Sequence, residues 1–169
     1  MRRDTPASPA SGVVFIHAAA RALAPHLEWA IAGVLETPIT LTWSNQQILP
    51  GAVRSEFTWR GKVGAAASLV SALMPFDGIR FEVTEDQSQG REGERYAYVP
   101  ELGLFRATVG LYGDVLVHED RLRAAMSHAK LNGASLKDEL ALLVGDPWDA
   151  ALEPYRYAAS GVRVLSQVV

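Results

Sequence analysis

The sequence predicts an α+β fold: a ferredoxin-like βαββαβ unit followed by a short antiparallel β segment and C-terminal helices. Three observations lead there. Across residues 12–86 the apolar residues switch between the two-residue period of strands and the three- and four-residue spacing of helices. The order is strand, helix, strand, strand, helix, strand. Glycines, prolines and an Asp-Gly pair punctuate these segments. The composition, 49 % hydrophobic and 21 % charged with no cysteine, suits an apolar core rather than a disulfide or thiolate–metal scaffold, and it excludes a mostly disordered chain.

Gly12 to Ala18, with Val13, Val14, Phe15 and Ile16, is short, apolar and β-rich, as a buried strand requires. Pro25 suits the first turn of a helix, where its missing N–H costs nothing, and Leu23, Leu27, Ile31, Val34 and Leu35 form one apolar stripe. Thr37-Pro38 stops that helix, because the residue before proline is pushed out of the α region. Ile39 to Trp43 alternates as a half-buried strand, Asn45 to Gly51 is a loop, and Val53 to Arg60 alternates again, so the pair predicts a hairpin. Val63 to Met74 follows as a helix with Leu69, Val70 and Leu73 inward, closed by Pro75 and Asp77-Gly78. Ile79 to Thr84 is the fourth strand, with Ile79, Phe81 and Val83 on one face.

Gln87 to Gly93 is polar and glycine-bearing and marks an internal boundary. The chain therefore divides into a disordered tail over 1–11, the ferredoxin-like unit over 12–86, and strands plus helices over 94–169 packed on it as one compact domain. Tyr96 to Val99, Leu104 to Val109 and Val115 to Val117 read as short strands. A helix then starts with Glu119 and Asp120 in its first turn and ends at Asn132-Gly133. Ser135 with Asp138 resembles a capping box for a helix carrying Leu136, Leu140, Leu143 and Val144, capped by Gly145. Asp146-Pro147 starts a last short helix that Pro154 ends, and Val162 to Val169 reads as an edge strand.

Charge narrows the function classes. Sixteen basic against nineteen acidic residues give a formal net charge of −3, and the only local cluster, Arg91 to Arg95, is neutralised by its own glutamates. No basic patch or stripe marks a nucleic-acid footprint, so nucleic acid is not an expected partner. No apolar run reaches the roughly 18 residues of a membrane span, and the first residues lack the apolar core of a signal peptide. The expectation is a cytoplasmic protein with no membrane association.

The blocks Pro25 to Leu35, Phe81 to Asp86, Gly93 to Tyr98 and Leu152 to Tyr157 resemble an uncharacterised actinobacterial family, a domain of unknown function of about this length. The resemblance covers nearly the whole chain beyond the tail and implies an intracellular bacterial protein. It supplies no activity, cofactor or catalytic residue. It carries an association with gene neighbourhoods for fatty-acid synthesis, which implies a class of partner and no mechanism.

Two sets of residues could carry chemistry. The acidic segment Glu82, Glu85 and Asp86, with Glu92 and Glu94, is the densest titratable group, and His17 closes the first strand. Carboxylates there could bind a cation or act as general acid and base, yet acids alternating with arginines also describe a solvated strand. His17, His26 and Glu28 flank one loop and form a weak metal triad, although their spacing matches no zinc signature and no metal is expected. His118 and His128 read as solvent contacts. Gly61-Lys62-Val63-Gly64 reads as a tight turn, with a phosphate seat on the following helix as its alternative. Trp43 and Trp59 read as core. Glycine-rich nucleotide motifs and nucleophile elbows are absent, and no cofactor is expected.

The leading functional expectation is a non-catalytic binding or regulatory module acting on a protein partner or as a homodimer. Its contact residues would be Arg54, Glu56 and Arg80 on the polar sheet face, with Tyr96, Tyr98, Trp148, Tyr155 and Arg156 as aromatic and arginine anchors. The alternative is a small enzyme, with or without a metal, in the cleft between the two halves, using His17, Glu82, Glu85 and Asp86.

Overall fold

The computed structural model describes residues 9–88 and 90–157. Along the chain run β1 (Ala10–Ala20), a single 3-10 turn, α1 (Ala24–Leu35), β2 (Ser44–Asn45), β3 (Ala52–Gly61), α2 (Ala65–Leu73) and β4 (Arg80–Glu85). There follow β5 (Gly93–Val99), β6 (Gly103–Val109), β7 (Val115–Leu116), α3 (Glu119–Asn132), α4 (Leu136–Val144) and α5 (Asp146–Tyr157). The α+β class holds. All the strands join one antiparallel sheet in the order β2-β3-β1-β4-β5-β6-β7. The later strands extend the same sheet at the β4 edge, and the polar loop after Asp86 is the connection between paired strands β4 and β5.

Alternation along the strands sorts side chains onto two faces. One carries Val14, Ile16, Trp59, Phe81 and Val83, and against it pack Leu27 and Ile31 of α1 with Leu69 and Leu73 of α2, the main apolar core. The opposite face carries Ala97, Phe105 and Ala107, covered by Leu152, Trp148 and Ala151 of α5. Gly12 lets β1 lie close to β4: a Cβ there would meet the Thr84 carbonyl oxygen at 1.9 Å.

Three expectations need correction. Residues 39–43 form no strand, and only Ser44 and Asn45 pair with β3. The Glu28 carboxylate on α1 takes the Leu41 N–H and the Trp43 indole N–H, both at 2.9 Å, so side chains rather than a ladder hold this segment. Strand β1 begins at Ala10, inside the expected tail. Helix α5 does not stop at Pro154 but runs to Tyr157. The carbonyl that Pro154 strands four residues back belongs to exposed Ala150, where water can serve it. Trp43 and Trp59 share the main core as expected. The expected strand over 162–169 lies outside the described residues, as does most of the expected tail.

The two halves differ in how much they bury. In α3 only Ala125 is buried, and in α4 no residue is, although both helices have sound ends. Ser135 Oγ accepts the Asp138 N–H at 3.4 Å, and Gly133 and Gly145 take left-handed conformations that close each helix. Packing of α3 is chiefly against α4, and α4 leans on α5. Among the described residues no helix is long and apolar enough to cross a membrane.

Candidate functional site

Two of the expected chemical residues meet. The pairing of β1 shifts register between Ile16 and Ala18, leaving His17 at a bulge. A bulge frees a backbone carbonyl from the ladder and re-aims its side chain. Here buried Gln46 donates its Nε2–H to the His17 carbonyl at 2.7 Å, and the imidazole stacks on Phe15 and places Nε2 2.8 Å from Glu82 Oε2. His17 is 3 % exposed and Glu82 7 %.

Glu82 is then saturated by two arginines. Arg156 of α5 grips it as a fork, Nε to Oε2 at 3.0 Å and Nη2 to Oε1 at 2.6 Å, while Arg95 of β5 donates Nη2 to Oε1 at 2.9 Å. Asp149, seven residues before Arg156 on the same helix face, completes the group: its Oδ1 accepts from Arg156 Nη2 at 2.8 Å, and it pairs with Arg95 as well. Burial would push the Glu82 carboxyl up, but the His17 hydrogen bond and the Arg156 guanidinium outweigh it and hold it at about 2. Burial likewise favours loss of charge on Arg95 and Arg156, and their carboxylate partners overcome it and hold both above the ordinary arginine value. Because an ionised carboxylate only accepts, His17 Nε2 carries the proton toward Glu82. Buried Nδ1 then has no hydrogen-bond partner among the described residues. Two anions and two cations close on one another in this group.

The other acidic candidates go elsewhere. Glu85 points to the helix face and caps α2, accepting the Gly64 N–H at 2.8 Å and the Ala66 N–H at 3.1 Å. That occupies the helix end proposed for a phosphate and leaves Gly61 to Gly64 as a turn, with Gly64 at φ 87°. Asp86 accepts the Ser11 hydroxyl at 2.7 Å. Glu85, Asp86 and Arg95 all line a cavity of about 350 Å³, but each polar group is committed within the protein. Exposed His26 sits on α1, across the sheet from the His17 side chain, and Glu28 is taken by Leu41 and Trp43. The structure thus separates His17, His26 and Glu28. Among the described residues no group of three or more His, Asp or Glu side chains is placed to hold a metal ion.

The expected contact residues are largely spent on internal packing. Arg80 pairs with Glu101 and lies 5.2 Å from the Tyr155 ring centroid. The buried Tyr96 hydroxyl donates to Glu94, and burial with that bond pushes the phenol up. Tyr98 stacks on Phe81, and Trp148 packs on Phe105 and donates to the Gly103 carbonyl at 2.9 Å. Glu56 is exposed and Arg54 half-buried. Arg156 belongs to the buried network. Sequence reasoning missed Arg95 and Asp149 as its members. The local signals were partial: Arg95 shares a strand face with Ala97, and the seven-residue spacing of Asp149 and Arg156 was hidden by the expected helix stop at Pro154.

Exposed apolar side chains are densest on the helical hairpin and the turn before it, while Trp29 of α1, 79 % exposed, stands open on its own. Met126 is 59 % exposed, Leu131 82 % and Leu142 47 %, with Leu122, Leu136 and Leu140 also open. Leu111 and Tyr112 stand out in the β6–β7 turn.

A family model described as "Protein of unknown function (DUF3145)" matches residues 13–167. No curated protein matches the chain. Among solved structures the chain is similar to the apo form of LarC2, the C-terminal domain of a cyclometallase involved in the synthesis of the NPN cofactor of lactate racemase. The identity is 9 % and the TM-score 0.29, over 83 % of this chain and 99 % of that one.

Proposed function

Since the chain belongs to the DUF3145 family, proteins of unknown function, we propose from its own geometry that it is a non-catalytic binding or regulatory module acting by protein–protein contact, with the α3–α4 hairpin as its docking surface. The observation that carries this reading is a contrast. The ionisable side chains that could do chemistry are saturated by one another, whereas the apolar side chains of the hairpin face solvent. An interface wants apolar anchors left unspent by the fold, and the hairpin's leucines and Met126 supply them here rather than on the polar sheet face. The strand order β2-β3-β1-β4 with α1 and α2 on one face supports reading residues 12–86 as a ferredoxin-like unit. The reach of α5 back to β1 supports one domain, and the lack of cysteine suits a cytoplasmic setting.

A photo-crosslinking residue at position 126, compared with one at position 56, tests this in cells that make the protein. A discrete protein adduct at 126 and none at 56 is expected. Adducts at 56 alone would move the docking surface to the polar sheet face.

One observation favours the enzyme alternative: the unpartnered Nδ1 of buried His17. Glu82 beside it, held at about 2, is ionised near neutrality and has no proton to donate. Ring-nitrogen NMR of His17 separates the readings. If the Glu82 group only braces the fold, the Nδ1 resonance stays unchanged when Zn²⁺ or inorganic phosphate is added, and a shift would favour the enzyme.

A further inference from the structure

We propose that the outer face of α3 pairs antiparallel with the same face of a second copy of this chain, across a two-fold axis. This rests on the hairpin being the docking surface and names its occupant. Glu119, Arg123, Met126 and Lys130 recur at steps of four, three and four residues, so they form one stripe, and all four are exposed. The neighbouring stripe, with buried Ala125 and half-buried Ala129, is turned away from it. When a copy is placed end over end, Glu119 of each protomer meets Lys130 of the other, and Arg123 meets Met126. The stripe is complementary to itself: Glu119, which also pairs with Arg123 one turn on, stands at its N-terminal end, Lys130 at its C-terminal end, and Met126 with the Arg123 stem in the middle. There Met126 and the Arg123 stem would cover one another.

Charge argues for a copy over other occupants. Across the hairpin Arg121, Arg123, Lys130 and Lys137 balance Glu119, Asp120, Asp138 and Glu139. That balance offers no field to hold an anionic membrane or a nucleic acid, and no net repulsion to an identical surface. Size sets the strength. Two adjacent helices, the longer spanning about 21 Å, give a footprint of roughly 20 Å square, at the low end of specific interfaces. Association with a Kd of order micromolar or weaker is therefore expected, not an obligate dimer.

Sedimentation velocity on the full chain, from about 1 μM to about 1 mM, reads the result directly. The expected outcome is monomer at the low end and dimer at the high end. Met126→Lys or Lys130→Glu should each weaken association by about tenfold or more with unchanged melting temperature, and adding Glu119→Lys to Lys130→Glu should restore it. A chain that stays monomeric throughout overturns self-pairing, and so does a dimer indifferent to all three changes. Either result leaves docking of a different protein at the hairpin to be judged by crosslinking at position 126, so the two failures are distinguishable.

Discussion

The sheet with α1, α2 and α5 and the hairpin α3–α4 solve opposite problems. In the first region every large apolar side chain of the two cores finds a partner, and even the charged residues close on themselves in the Glu82 group. In the second, well-capped helices carry leucines and a methionine into solvent. A helix of fourteen residues draws most of its stability from packing of its apolar face. The hairpin is therefore folded with its packing capacity unspent, and this difference is why it is proposed as the docking surface.

The strongest way to break this comparison is to damage the self-satisfied region. Glu82→Ala should cost about 3–5 kcal/mol in urea unfolding, because it leaves Arg95 and Arg156 partly buried with Asp149 as their remaining carboxylate. The same group predicts an acid limit. With the folded pKa of Glu82 at about 2, below its usual 4.5, its contribution is fully present above pH 4.5. It is lost as pH falls toward 2, an effect of the order of 3 kcal/mol that Glu82→Ala should abolish in a pH series of melts. Gly12→Ala should cost about 3 kcal/mol or more by forcing β1 away from the Thr84 carbonyl.

Smaller effects sharpen the other side. Trp148→Phe keeps the packing on Phe105 but strands the Gly103 carbonyl, so about 1 kcal/mol is expected from the same unfolding assay. Met126→Lys should change stability by no more than about 0.5 kcal/mol, since its side chain is mostly in water, while weakening self-association by about tenfold or more in sedimentation velocity.

The legible parts of the fold were those set by local spacing. The order of helices and strands follows from apolar periodicity, and Ser135, Gly133 and Gly145 announce the ends of α3 and α4. Residues 39–43 misled because their alternation is real but serves α1: the Glu28 carboxylate, far away in the ladder sense, captures Leu41 and Trp43. Pro154 misled because an exposed carbonyl tolerates losing its partner. For the site, alternation about Phe81 points Glu82 to the opposite face and His17 reads as closing the first strand, so the two stand together as candidates. The bulge that brings them into contact is not legible in the sequence. Nor is the saturation of Glu82, because Arg95 and Arg156 arrive from elements distant in sequence whose relative placement no local pattern encodes. The same limit hid the hairpin: the leucine spacing of α3 and α4 reads as core, and only the tertiary arrangement leaves those side chains open.

Hydrogen exchange of the full chain, dilute and concentrated, tests most directly the claim that the hairpin is the contact surface and the Glu82 group a brace. Amides of 119–144 should exchange earliest among the helices and slow on association, with β1 and β4 unchanged. Slowing confined to the peptides carrying His17 and Glu82, with 119–144 indifferent, would contradict it.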